Sequence, residues 1–427
     1  MIAPSKTVPK TVAAPPSSLV RRFGPGLITG AADDDPSGIA TYSQVGAQFG
    51  YGLAWTMLFS LPFMIVIQEV SGRIGCVTGH GIAENLRRHY NPWIVRVIVA
   101  LLLVANVINL GADIGAMGAA LRLLLGGNAR LYTVGFGILC VVAEVFLSYA
   151  VYAGILKWLT LSLFTYVAVV FAVHVPWSDA LLATLVPRIS LNHDATMALV
   201  AVLGTTISPY LFFWQSSLEV EDQARRGARP LRLTPRLARP QFARIRADTV
   251  VGMGISNLIA ICIIYATAAT LHATGVTTIE TSSQAAEALR PIAGELTFVV
   301  FAAGIIGTGL LAVPVLAGSS AYALSEAFRW RQGLDRGLLQ AKSFYATITA
   351  ATLAGVGLNF TALNPVKALY WSSVVNGVLA APVMAAVMLV AGNGRIMGRL
   401  ALPAPMLAFG WAATLIMLAA SIGFFVL

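Results

Sequence analysis

Phe23-Gly-Pro-Gly-Leu-Ile-Thr-Gly-Ala-Ala-Asp33-Asp34-Asp35-Pro36-Ser37-Gly38, resuming as Ile39-Ala-Thr-Tyr42, sets three consecutive carboxylates inside an otherwise apolar segment. A carboxylate near the centre of a bilayer costs roughly 2.5–3.5 kcal/mol on insertion scales. Three in a row require a compensating partner. Pro36 removes a backbone donor and disfavours helix at Asp35, and Gly38 tolerates unwinding. An unwound stretch frees carbonyl oxygens beside carboxylate oxygens, a donor set that suits a hard cation.

The surroundings of that segment are membrane-like. Hydrophobic residues make up 57% of the 427 and charged residues 11%, with a mean hydropathy of +0.78. A soluble domain carries about 25% charged residues. Runs such as Leu101–Ile108 and Thr297–Ile306 do not alternate polar with apolar, so the spans read as helices rather than β-barrel strands. The chain is expected to be an all-α integral membrane protein. Cys76, Cys140 and Cys262 are scattered and odd in number, which fits neither a disulfide framework nor a zinc site. The N-terminal stretch is rich in Pro, Ser and Lys and lacks the apolar core of a signal peptide. Residues 1–22 read as a disordered cytoplasmic tail, and 23–427 as the transmembrane domain.

Apolar windows give eleven spans, near 24–48, 52–72, 96–121, 131–149, 154–176, 196–218, 249–273, 296–325, 343–359, 367–392 and 402–425. With the N-terminus in the cytoplasm, every Lys and Arg falls inside except Arg122, Arg130, Arg188, Arg290 and Lys367. That bias is the positive-inside rule, and it puts the C-terminus outside. The net charge of +10 is then a topology signal facing anionic inner-leaflet lipid, not a nucleic-acid surface. The expected setting is a bacterial inner membrane, with lipid as the surrounding partner and no obligate protein partner evident.

Span six carries a matching interruption, Gly204-Thr205-Thr206-Ile207-Ser208-Pro209-Tyr210. Pro209 breaks the hydrogen-bond ladder there, and Gly204, Thr205, Thr206 and Ser208 supply small polar groups. Read alone, this is either a simple kink or half of a site. Spans one and six lie five apart, so spans one to five and six to ten form two halves, about 23–176 and 196–392, followed by one extra helix, about 402–425. Interrupted segments at corresponding places in two halves point to a transporter's midplane site.

With these motifs the sequence resembles the NRAMP family of divalent metal transporters. The match runs through Phe23-Gly-Pro-Gly-Leu, Asp35-Pro36-Ser37-Gly38, Phe49-Gly50-Tyr51 and the segment from Arg73 to Gly79. In the second half it continues in Ser208-Pro209-Tyr210 and, more loosely, Leu316-Ala317-Gly318. The resemblance implies a LeuT-like fold of two inverted five-helix repeats plus an eleventh transmembrane helix, working by alternating access. It also implies that the divalent metal is substrate and not a resident cofactor.

The family holds its metal with Asp and Asn of Asp-Pro-Gly-Asn, Met of Met-Pro-His and a nearby carbonyl. Asp35 matches the metal-binding Asp. Gly38 stands at the Asn position, Ser208 at the Met, Tyr210 at the His and Thr205 at the carbonyl donor. A thioether favours soft transition metals. Its loss, with Asp33 and Asp34 added, shifts the expected site toward oxygen-only ligation. Such a site suits hydrated magnesium, as in the NRAMP-related magnesium transporters. The alternative is that Asp35, Ser208 and backbone still serve manganese or iron in a proton-coupled symporter. Asn376, with Ser372 and Ser373 in span ten, is either site-lining or glue between helices.

Family symporters route protons through acids in span three, the span-six His and arginines in span nine. Here Ser343–Leu358 contains no charge and Tyr210 replaces the His, so little proton coupling is expected. Asp113, in Asn109-Leu-Gly-Ala-Asp-Ile-Gly, is roughly where the family has its Asp, with Gly115 near the expected Glu. Asp113 reads either as a functional acid or as a packing acid, and Glu144 as an unassigned one. Glu69, near the inner end of span two, reads as an interfacial anchor. A carrier of organic cations or amino acids would use the same broken helices but would want an aromatic pocket beside one carboxylate. Enzyme signatures, such as a phosphate-cradling Gly-rich loop or a Ser/His/Asp set, are absent from the sequence.

Overall fold

A computed structural model describes residues 29, 30, 32–146, 164–188, 192–361 and 364–426. The tail expected over 1–22 and much of the fifth span lie outside the described residues. Those described are helical or irregular, with no β-strand among them.

Every expected span contains helix. Span one is helical at Thr29, Gly30, Ala32 and Asp33, bends at Asp34, and resumes as α1 (Pro36–Phe49). α2 (Trp55–Thr78) leads through a short helix, α3 (Ile82–His89), to α4 (Pro92–Leu125) and α5 (Ala129–Phe146). α6 (Phe164–Ala172) is the described part of span five, and α7 (Trp177–Leu185) follows it. Span six is split into α8 (His193–Thr206) and α9 (Pro209–Arg225). The remaining spans are α10 (Ala238–Thr270), α11 (Thr297–Phe328), α12 (Lys342–Leu358), α13 (Pro365–Gly392) and α14 (Ala404–Val426). Eight helical stretches are long and apolar enough to cross a bilayer on their described residues alone. The others are the broken span one, the partly described span five, and α12, which has 17 residues.

Helices in lipid gain little from burying apolar surface against each other, so close backbone approach matters more. Gly75 lets α2 meet the backbone of α9: a Cβ there would stand 2.2 Å from the Ser216 carbonyl oxygen. At the end bearing the arginine-rich loops, buried acids tie the elements together. Glu219 pairs with Arg244 and accepts from the Cys76 thiol. Glu221 accepts from the Tyr322 hydroxyl at 2.5 Å and the Leu334 amide at 2.9 Å. Glu69 pairs with Arg73 one turn along α2 at 2.5 Å, as an anchoring acid would.

Candidate functional site

The break in span one follows from its residues. Asp35 is extended (φ −71°, ψ 168°) and caps α1, with Pro36 at the first helical position. Its Oδ1 accepts from the Ser37 hydroxyl and the Gly38 amide, both at 2.7 Å. Its Oδ2 reaches across the bundle. Asn109 Nδ2 on α4 donates to it at 3.0 Å, and the Tyr210 hydroxyl on α9 lies 3.4 Å away. The same hydroxyl is 3.2 Å from the Ala32 carbonyl oxygen. Asp35 therefore joins both halves of span one to spans three and six.

Asp33 and Asp34 face elsewhere. Both turn to Ser256 on α10, whose hydroxyl lies 2.7 Å from Asp33 Oδ2 and 3.1 Å from Asp34 Oδ1. One hydroxyl proton cannot satisfy two carboxylates, and Asp33 Oδ1 has no partner. Successive residues of a helical turn diverge by ~100°, so neighbours in sequence need not converge in space. Among the described residues, no three His, Cys, Asp or Glu side chains gather as a metal cage. Asp113 sits one turn beyond Asn109 on the same face of α4, fully buried.

All four aspartates are at most 2% exposed. Among the described residues none of them is ion-paired with a Lys, Arg or His. Burying an uncompensated carboxylate costs several kcal/mol. The site as built therefore calls for positive charge from outside the chain, as protons or as a cation.

On the span-six side, Ile207 ends α8 and Ser208 is extended before Pro209. The Ser208 hydroxyl sits 2.8 Å from the Thr205 carbonyl oxygen and 3.2 Å from that of Gly204. It thus caps the free carbonyls of α8, including the expected carbonyl donor. Gly38 faces Thr205: a Cβ at 38 would lie 2.9 Å from Thr205 Oγ1. A larger residue at 38 would need the Thr205 hydroxyl to turn away. On α13, Ser373 contacts span one, accepting from Thr41 Oγ1 at 2.9 Å and lying 3.4 Å from the Ser37 carbonyl oxygen. Asn376 is buried one turn away. Glu144 is buried on α5 with both oxygens unpartnered.

Sequence reasoning passed over Asn109 and Ser256 as contacts of the aspartates. For Asn109 a signal existed, because it precedes Asp113 by four residues in an apolar helix. For Ser256 only the packing of α10 against span one reveals the contact. A cavity of about 340 Å³, lined by Gln44, Asp194, Lys367 and Tyr370 among others, lies beside α1. It shares Ala40, Ile279 and Val366 with a smaller, water-sized cavity at Ile39 and Ser43.

Ser208→Met is expected to raise discrimination for manganese or cadmium over magnesium, because it installs a soft donor beside the Thr205 carbonyl. The effect will be small, since Gly38 adds no oxygen. The ratio of initial uptake rates in proteoliposomes checks it, and an unchanged ratio would show that position 208 does not face the ion.

Two interrupted helices, five spans apart and meeting at buried acids, define an integral membrane protein built on the LeuT-like transporter plan. The chain belongs to the Nramp family (natural resistance-associated macrophage protein-like), whose model matches residues 26–427. It is 28% identical over 375 residues to the divalent metal cation transporter MntH of Verminephrobacter eiseniae, covering 83% of this chain and 81% of that one. The MntH of Acidiphilium cryptum is 27% identical, over 92% of this chain and 82% of its own. Among solved structures, the Eremococcus coleocola manganese transporter superposes with a TM-score of 0.75 at 15% identity, covering 97% of this chain and 89% of that one. Mhp1, a nucleobase-cation-symport-1 family transporter, superposes at 0.50 with 13% identity over 93% of this chain and 91% of its own.

Proposed function

We propose that this chain carries divalent metal cations across a bacterial inner membrane by alternating access, with Asp35 as the ion's carboxylate ligand. The observation that carries the reading is the set of four buried aspartates with no ion-pair partner at the meeting of two broken helices. A cation bound there supplies the missing charge. The likeness to MntH proteins named as divalent metal cation transporters supports it. The Mhp1 likeness shows that the fold also serves other substrates, so the weight rests on the acids.

The ion we favour is hard, magnesium first and manganese also. Asp35, Asn109, Tyr210, Ser37 and the Thr205 carbonyl offer oxygen, and Ser208 replaces the family's thioether. One observation favours manganese instead. A Cβ at Gly309 would meet Met117 Sδ at 2.6 Å and Pro36 Cγ at 3.3 Å, so a thioether from α4 lies near the start of α1. Uptake of magnesium and manganese, each competed by the other in proteoliposomes, tests the choice. Failure of both ions to move would overturn the transport reading.

We further propose that protons are largely uncoupled from the ion, because α12 carries no charge beyond its first residue, Lys342, and Tyr210 replaces the family's His. An inside-negative potential alone drives a divalent ion inward by roughly 4.6 kcal/mol per 100 mV. A lumenal pH dye should therefore stay flat during metal uptake. Acidification scaling with uptake would show that protons travel with the metal. The orientation proposed is N-terminus inside and C-terminus outside. Cysteines placed at Arg229 and at the C-terminus should label from opposite sides, and labelling of both from one face would refute it.

A further inference from the structure

We propose that the arginine pocket between α3 and the α11–α12 loop, together with the apolar groove beside it, is a binding site for one anionic phospholipid. The phosphate would lie among the arginines and an acyl chain along α12.

The pocket has a volume of about 680 Å³ and is lined by Arg87, Arg88, Arg329, Arg331 and Arg336, against Glu84 and Glu326. Five guanidinium groups facing two carboxylates leave a surplus of three positive charges. Arg87 and Arg88 share Glu84, at 3.5 and 2.5 Å. Among the described residues, Arg329, Arg331 and Arg336 have no ion-pair partner. Burial and the neighbouring Arg329 guanidinium both lower the Arg87 pKa, a repulsion that an anion would relieve. His80 and Arg88 hold Glu84 ionised, overcoming its burial and setting its pKa at about 2, so Glu84 stays a fixed counter-charge to the arginines around it. Guanidinium groups match phosphate oxygens by paired N–H donors.

Arg329 ends α11 with φ 62°, and it is the only non-glycine with positive φ among the described residues. Glycine is the low-strain choice for such a cap, so an arginine here keeps a charge at the rim at a conformational cost.

The second observation is independent of charge. Trp330, 39% exposed and stacked on Phe328 at 5.4 Å, lines the arginine pocket and also an apolar groove of about 430 Å³. Leu103 and Val107 of α4, Leu324 of α11 and Ala350 of α12 line that groove. Ala346, Ala350 and Ala354 repeat every four residues on the exposed side of α12, where their small side chains leave a trough along the helix. Tryptophan is enriched at the headgroup level of bilayers. A headgroup-sized cationic pocket that shares an aromatic wall with a membrane-facing trough fits a phospholipid better than a soluble anion. In the orientation proposed above it faces the anionic inner leaflet. The inference does not depend on which ion is carried.

The test uses the full-length protein in detergent, with lipid binding read by native mass spectrometry. The probes are phosphatidylglycerol, phosphatidylcholine of identical chains, and inorganic pyrophosphate as a chainless anion. Phosphatidylglycerol should bind at least tenfold more tightly than phosphatidylcholine. The double variant Arg329→Gln/Arg331→Gln should lose that preference, and Ala350→Phe, which fills the trough, should weaken phosphatidylglycerol tenfold while leaving pyrophosphate unchanged. Arg336→Gln alone, on an exposed turn, should give a partial loss and guards against misfolding of the double variant. Equal binding of the two lipids would overturn the proposal. So would phosphatidylglycerol binding insensitive to Ala350→Phe, which would mark the pocket as a site for free phosphate.

Discussion

Asp35→Ala is expected to abolish metal uptake in proteoliposomes while leaving the protein folded. The carboxylate contacts α1, α4 and α9 together, through Ser37, Asn109 and Tyr210. If it holds the ion, its removal strips a buried charge pair of one partner, worth about 3–5 kcal/mol. That corresponds to a loss of uptake on the order of 10²–10⁴-fold. The structural cost is smaller. A lost N-cap destabilises by about 1 kcal/mol, and deleting one of several like charges in a buried cluster offsets part of it. Asp35→Asn keeps the cap acceptor and removes the charge, so it should lose uptake as well. Initial rates at saturating and trace metal, with a thermal melt on the same preparations, check the result. Wild-type flux from a folded Asp35→Ala protein would remove Asp35 from the site.

Gly204→Val is expected to prevent the bundle from closing. A Cβ at 204 would stand 2.2 Å from the Ser373 carbonyl oxygen and 2.3 Å from the Gly377 amide nitrogen. Both obstacles are backbone, so no rotamer change relieves them and α8 must part from α13. Overpacking of a tight interface costs about 1–3 kcal/mol and sometimes more. Here the separation would also draw Ser373 away from Thr41 and the Ser37 carbonyl, coupling the defect to the site. A lower melting temperature and loss of the monodisperse fraction should follow. Gly254→Val on α10 is the control, because open space surrounds a Cβ there, and it should melt close to the parent. Equal stability of Gly204→Val and parent would show that the two helices do not meet this closely.

Much was legible from the chain alone, and for identifiable reasons. Pro36 and Pro209 each stand at an interruption, whereas Pro62, Pro314 and Pro382 lie inside continuous helices, so the small polar and acidic neighbours, not proline alone, mark the breaks. The absence of hydrogen-bond partners in lipid forces apolar stretches into helices, and each expected span contains helix among the described residues. Asp35 stood out in the sequence because it precedes a proline in an apolar span and sits where the resembled family has its metal-binding Asp.

What a carboxylate faces is another matter, since it depends on which helix packs opposite. Asp33, Asp34 and Asp35 are adjacent in sequence, yet only Asp35 turns toward Asn109 and Tyr210 while the other two turn to Ser256. A local pattern encodes the rotation of each side chain about its own helix, but not the distance to a residue 74 or 223 positions away. The residues around the acids follow the same division. That the chain breaks at Asp35 and at Ser208 was determined by the sequence itself, through missing amides and permissive glycines. That Gly38 faces the Thr205 hydroxyl, and that Asp35 faces Asn109 and Tyr210, was decided only when the broken helices met their neighbours.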